Sequence, residues 1–250
     1  MEMNLLAELK HEDSVSALKP VFLCSGIPTA LVWANTDELR EESYRIRYEV
    51  YCRHLGFEDE QKYPEGQESD RFDLISNHFL VQDLETSNYV GTVRLVEPGL
   101  TASPLDAIPL ESVYRKEYEQ STYCPAAQRS GSYLEVSRLA LLTHAWQQSG
   151  TYSSELARLL YLASLAYFYS LPDMKRIYCL MEPRLAYRLN RIGLPFDQVG
   201  QLIQFKGDRA PYMLQRSGCL QGLRGEARSI FSQALAQMRR SNIRDSSKGG

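Results

Sequence analysis

The residues best placed to do chemistry fall in three short segments that otherwise read as buried. These are Glu68-Ser69-Asp70-Arg71-Phe72-Asp73, Gly91-Thr92-Val93-Arg94-Leu95 and Glu135-Val136-Ser137-Arg138. Asp70 and Asp73 precede a predicted strand, Arg94 lies inside one, and Glu135 and Arg138 lie inside another. A lone charge is costly to bury, so such groups are paired with one another or recruited for chemistry. Carboxylates and arginines gathered in this way make a mutually neutralised cluster within a cleft. A carboxylate there can take a proton, and an arginine fork can grip a carboxylate.

The elements that must position them follow from periodicity and punctuation. Thr29–Ala34 reads as an apolar strand. Thr36-Asp37-Glu38 is a helix start, a capping hydroxyl followed by acids, and the helix runs to about Leu55 before a stop at Gly56. Arg47, Tyr51 and Leu55 form one stripe of it. Residues 57–76 are acidic and turn-rich, a loop. His78–Leu84 and Tyr89–Val96 are strands of a hairpin. The stretch 97–132 is a long excursion with one helix near Pro109–Tyr118, where Pro109 occupies the first turn. Tyr133–Leu142 is a strand, expected at the centre of the sheet. A core helix spans about 152–170, Arg176–Met181 is a strand and Pro183–Arg191 a short helix. Gln201–Lys206 and Tyr212–Gln215 are further strand candidates, and a helix over 225–240 closes the domain. Helices and strands interleaved around one mixed sheet give an α/β (α+β) class. The expected organisation is an N-terminal extension over 1–28, a single domain over 29–240 and a disordered tail over 241–250.

Composition narrows the function. With 250 residues, 44% hydrophobic and 24% charged, the chain fits one globular domain with extensions. No stretch is long and apolar enough to span a membrane and no signal-peptide pattern opens the chain, so a cytoplasmic protein is expected. The five cysteines, Cys24, Cys52, Cys124, Cys179 and Cys219, are odd in number and never form C-x-x-C. A disulfide framework and a zinc site are therefore not expected. The four histidines lack ligand spacing, and neither nucleotide-binding glycine motif occurs, so no metal and no permanently bound cofactor is expected. Residues 126–250 hold 17 Lys/Arg and 8 Asp/Glu, net +9, leaving 11 and 23, net −12, for residues 1–125. Either the basic half meets an acidic partner or the two halves attract each other. No nucleic-acid motif accompanies the basic half.

The order Arg47-x-x-x-Tyr51, E-x-D-x-F-D, G-T-V-R-L and E-V-S-R resembles the acyl-homoserine-lactone autoinducer synthases and the long-chain N-acyl amino acid synthases. The stretch Met181-Glu182-Pro183-Arg184-Leu185, with Gly193 and Gly207-Asp208-Arg209-Ala210-Pro211-Tyr212, resembles the acyltransferases associated with the PEP-CTERM/exosortase system. All three groups have the GNAT-type N-acyltransferase fold. The resemblance runs from about Arg47 to Tyr212. It implies a GNAT-like sheet, strongly twisted and flanked by helices, that transfers a fatty acyl group from a thioester to a primary amine.

The resemblance also assigns residues. Glu135 of E-x-S-R is the candidate base, with Ser137 and Arg138 beside it; otherwise Glu135 only neutralises Arg138 or Arg94. Asp70, Asp73, Arg94 and Arg138 form the electrostatic cluster of the substrate site or a structural ion-pair network, and both can hold at once. Arg47, Tyr51 and Phe57 face the amine. Phe57 stands where the autoinducer synthases commonly have tryptophan, a departure that fits an amino acid or another amine better than adenosylmethionine. The GNAT pyrophosphate loop is matched only partly by Gln147–Ser153, with Gln148 and Gly150 as candidate donor contacts. That weak match and the basic second half, Arg184 and Arg188 in particular, suit acyl carrier protein as donor, with acyl-CoA the other thioester source. In the PEP-CTERM-associated group a histidine often precedes Gly207; here it is Lys206. An autoinducer-like synthase and a non-catalytic acyl-binding module are the alternative readings.

Overall fold

The computed structural model describes residues 20–98, 108–117, 132–142, 150–217 and 220–246. Among them nine strands form a sheet ordered β1-β2-β3-β4-β5-β6-β9-β7, with β8 paired to β9. The strands are β1 Val21–Cys24, β2 Ile27–Trp33, β3 Ser76–Asp83, β4 Tyr89–Val96, β5 Ser132–Leu141, β6 Met174–Met181, β7 Asp197–Gln198, β8 Ile203–Gln204 and β9 Asp208–Gln215. All neighbours are antiparallel except β5 and β6.

The main core lies on one face, where α3 (Gly150–Ser170) packs on the sheet and α5 (Gly225–Ser246) packs on α3. Helix α3 is apolar nearly all round because it is covered on both sides. On the other face lie α1 (Asp37–Arg47) over β3–β5 and α2 (Pro109–Glu117), while α4 (Pro183–Arg191) contacts β9 and joins the main core through Ala186 and Leu189. Thr36 caps α1 by accepting from the Leu39 amide at 3.4 Å. The helix then widens into a π-helical segment, Tyr48–His54, and stops at Gly56, whose φ of 61° favours glycine.

The strand Tyr133–Leu142 is central, as expected, between β4 and β6. Three boundaries differ from the sequence reading. Val21–Cys24, placed in an N-terminal extension, is an edge strand: Phe22 and Cys24 alternate inward while Val21 and Leu23 stay exposed. Gln201–Lys206 contributes only the two-residue β8, because the chain turns back at Lys206 and Gly207, both at positive φ. The last helix continues six residues past 240, since neither Gly nor Pro interrupts 241–246.

Two irregularities of β5 shape the site. Its pairing with β6 ends at Glu135↔Tyr178, after which the two parallel strands part. Between Thr92↔Ala140 and Arg94↔Ser137, β5 carries one residue more than β4. This bulge coincides with Arg138 at φ 50°, a left-handed conformation rare outside glycine.

Candidate active site

Arg94 on β4 faces Ser137 on β5, and His78 on β3 faces Arg94. Alternation therefore puts His78, Arg94, Ser137 and Glu135 on the α1 face of the sheet. Arg47, at the end of α1, comes down on the same face and is fully buried. The loop 57–76 delivers the carboxylates. Asp70 and Asp73 form a capping box around a 3₁₀ turn: Asp70 accepts from the Phe72 amide at 2.8 Å and Asp73 from the Asp70 amide at 2.7 Å. The remaining carboxylate oxygens are turned to the arginines.

The network is dense. Arg47 donates to Glu68 at 2.6 Å and bidentately to Asp73 at 2.7 and 3.1 Å. Arg94 donates to Asp70 at 2.6 Å, Asp73 at 3.0 Å and Ser137 Oγ at 3.2 Å. Arg138 reaches Glu68, Glu58 and Asp70 at 3.2–3.5 Å. Lys206, from the β8–β9 turn, closes the set with an ion pair to Glu58. Arg47, Arg94, Arg138 and Lys206 thus balance Glu58, Glu68, Asp70 and Asp73. Burial opposes the charge on Asp73, yet the Arg47 and Arg94 guanidiniums hold its carboxyl well below the usual range. His78 touches this cluster through Asp73 at 3.4 Å and hydrogen-bonds Ser43 at 3.2 Å. Burial, aided by Arg47 and Arg94, pushes its pKa down to about 3, so it stays neutral.

Glu135 stands apart from this network. It is 2% exposed, and across the ladder it meets Val96 and Tyr178, both buried. One carboxyl oxygen accepts from the Leu110 amide in the first turn of α2 at 2.8 Å. No ion pair joins Glu135 to Arg94 or Arg138 among the described residues, so the reading in which it only neutralises an arginine does not describe this geometry. Burial dominates: it raises the pKa to about 8, against the Leu110 hydrogen bond and the more distant Arg94.

A cavity of about 580 Å³ opens where β5 and β6 part. Glu135, Ser137, Arg138, Asp70, Tyr51 and Phe57 line it, and the ends of β6 and α3 supply an apolar wall. Tyr51 donates to the Leu139 carbonyl within the bulge at 2.7 Å and stacks on Phe57 at 6.5 Å. Tyr161 and Cys179 also line the wall, and burial lifts the Cys179 thiol to about 12, which disfavours its thiolate.

Among the donor candidates, Arg188 lines the cavity, whereas Arg184 is exposed on α4 and Gly150 lies at the start of α3, both outside the lining. Gln148 lies outside the described residues. Arg47, Asp73 and Arg94 are tied to one another and to Glu68 and Asp70 and do not line the cavity, the arrangement of the structural ion-pair network. Lys206 and Arg209, named in the sequence only as part of the motif around Gly207 and given no role there, line the cavity, and Glu58, which no sequence signal marked, pairs with Lys206.

The acetyltransferase (GNAT) domain family matches residues 46–154. The fold is that of the N-acyl amino acid synthase FeeM from uncultured soil microbes, at 14% identity and TM-score 0.51 over 78% of this chain and 94% of that one. It is also that of the acyl-homoserine-lactone synthase LasI, at 15% identity and TM-score 0.56 over 80% and 99%. MesI, a CoA-dependent acyl-homoserine lactone synthase, aligns at 19% identity and TM-score 0.52 over 81% and 94%. No curated protein matches in sequence. The parted parallel strands, the bulged β5 and these matches define a GNAT-like acyltransferase fold.

Proposed function

We propose that this protein is an N-acyltransferase that moves a fatty acyl group from a thioester to the amine of an amino acid or a related amine, with Glu135 as general base. The observation that carries the reading is Glu135 itself: a buried carboxyl, without a cation of its own, in the cavity between the parted strands, with a pKa near the pH at which it must work. In the proposed reaction the amine nitrogen attacks the thioester carbon and Glu135 takes the ammonium proton. The carbonyl oxygen becomes an oxyanion, and the carbon–sulfur bond breaks to release the thiol. A backbone amide of the β5 bulge is the candidate oxyanion donor. Ser137 accepts from Arg94 and has its own hydroxyl proton free to hydrogen-bond the leaving thiolate, which takes its proton from water while Glu135 returns its proton to solvent.

The arginine–carboxylate network is proposed to fix this geometry rather than to grip substrate. It pins the loop 57–76 to β4 and the bulge of β5, so Phe57 and Asp70 stay at the cavity wall. The apolar wall suits an acyl chain. Carrier protein is the proposed donor, because Arg184, Arg188 and Arg191 are exposed on α4, Arg188 lines the cavity, and an acidic carrier would meet them. Acyl-CoA offers the same thioester arm.

The test is mass spectrometry of lipid extracts from a host overexpressing the protein beside a host expressing Glu135→Gln. New N-acyl amines present only with the active protein support the reading. Identical extracts, with both proteins folded and with acyl carrier protein and amines available, refute it.

A further inference from the structure

The charges of the cavity do not cancel completely. Arg138 and Lys206 are matched by Glu58, Glu68 and Asp70. Arg188 sits exposed at the rim on α4. Arg209, at the start of β9, is different. It lines the cavity, its Nε is buried without a hydrogen-bond partner, and among the described residues it forms no ion pair. Its one contact is stacking: the guanidinium carbon lies 5.8 Å from the centre of the Phe57 ring, which itself stacks on Tyr51. Tyr51, Tyr161 and Cys179, all in the cavity wall, feel its charge. A guanidinium therefore faces this part of the cavity.

We infer that Arg209 receives the carboxylate of an amino-acid acceptor whose amine is presented to Glu135. A guanidinium whose buried Nε has no acceptor is an unfinished contact, and a carboxylate completes it with charge-assisted hydrogen bonds. The arginines tied into the network have their carboxylates already; Arg209 has none. A zwitterionic amino acid adds no net charge to the cavity, whereas a sulfonium-bearing acceptor would add a cation beside an unmatched cation. The cation–π contact with Phe57 engages the ring face and takes up none of the guanidinium's hydrogen-bond donors. The inference takes its chemistry from the acyltransferase reading, but its binding test does not need turnover.

Calorimetry with a panel of N-dodecanoyl amino acids, each beside its carboxamide, reads the effect directly. The expected result is that at least one acid binds about 10–100-fold tighter than its amide. Arg209→Gln should erase that preference and Arg209→Lys should keep part of it. The melting temperature of Arg209→Gln should fall little, because only the contact with the Phe57 ring is lost and no ion pair is broken. Equal binding of acids and amides by the natural protein, a result that needs no variant, overturns the inference. So does a preference that survives in Arg209→Gln, or a defect confined to the KM of the acyl donor, which would assign Arg209 to the donor's phosphate. A protein that binds acids through Arg209 yet acylates no amine would refute the acyltransferase reading alone. One that acylates amines without regard to a carboxylate would refute this inference alone.

Discussion

Replacing Glu135 by Gln should make the protein slower and more stable at once. The carboxyl has a pKa of about 8 in the folded protein against 4.5 in the unfolded chain. The folded state therefore holds a proton between those values that the unfolded state releases, and stability falls as pH rises through that window. At pH 7 the cost is about 3 kcal/mol, taken as 2.5 pH units at 1.36 kcal/mol each. Gln can accept the same Leu110 hydrogen bond and carries no charge to desolvate, so the variant should regain that amount. For a domain of this size it corresponds to a melting temperature higher by roughly 6–12 °C at pH 7, shrinking to nothing below about pH 4.5. Turnover should fall by ~10²–10⁴-fold. The pH dependence separates the base from the amine. Glu135 is ionised to about 10% at pH 7 and about 90% at pH 9. The ratio of natural to variant rate should therefore climb roughly tenfold over that range, the titration of the amine cancelling in the ratio. Scanning calorimetry and a thioester-release assay across pH give both readouts. A variant that melts lower and turns over at the natural rate would show that Glu135 is an ionised structural carboxylate, and the reasoning would fail.

Three further outcomes follow from the network. Asp73→Ala leaves Arg47 and Arg94 underpaired in the interior and should cost about 3–5 kcal/mol, a drop of roughly 6–20 °C in a thermal melt; a change under 2 °C would contradict the buried network. His78 is held neutral with its pKa depressed to about 3, so the unfolded chain takes up a proton below about 6.5 that the folded protein refuses, and stability is lost as pH falls from there. Replacing His78 by Gln should flatten that acid limb, by about 1.4 kcal/mol per pH unit, in denaturant titrations from pH 6.5 to 4; parallel curves would refute the assignment. Arg184→Glu with Arg188→Glu should raise the KM for acyl carrier protein, most at low salt, while short acyl-CoA donors are little affected; equal loss with both would remove the carrier reading.

Much of this was legible in the residues because the local signals agreed. Thr36 with Asp37 and Glu38 marked a helix start, Pro109 another, and the hairpin pattern marked Tyr89–Val96 as a strand, and each stands where expected. The segment carrying Asp70, Asp73 and the one carrying Arg94 announced themselves because charge inside an apolar run needs a partner. What sequence could not give is which partner. Glu58 and Lys206 are 148 positions apart and meet only because β8 and β9 turn back over the loop after α1. The separation of Glu135 from the arginines is equally invisible, since it depends on α2 offering the Leu110 amide. The π-helical widening of Tyr48–His54 leaves no mark in a pattern read at 3.6 residues per turn.

The parting of β5 and β6 divides the sheet into two mechanical halves. Strands β1–β5 share one continuous antiparallel ladder and β6–β9 another, and only the four pairs from Ser132↔Met174 to Glu135↔Tyr178 rivet them together. A sheet transmits strain because each strand's amides are shared with both neighbours; here that sharing lapses midway. The halves are held instead through α3, whose apolar surface spans the seam from the back. Opening at the seam therefore requires little backbone hydrogen bonding to be given up, and the domain can breathe there without unfolding. Amide exchange should show two levels of protection meeting at β5, and any molecule that fills the gap should draw them together.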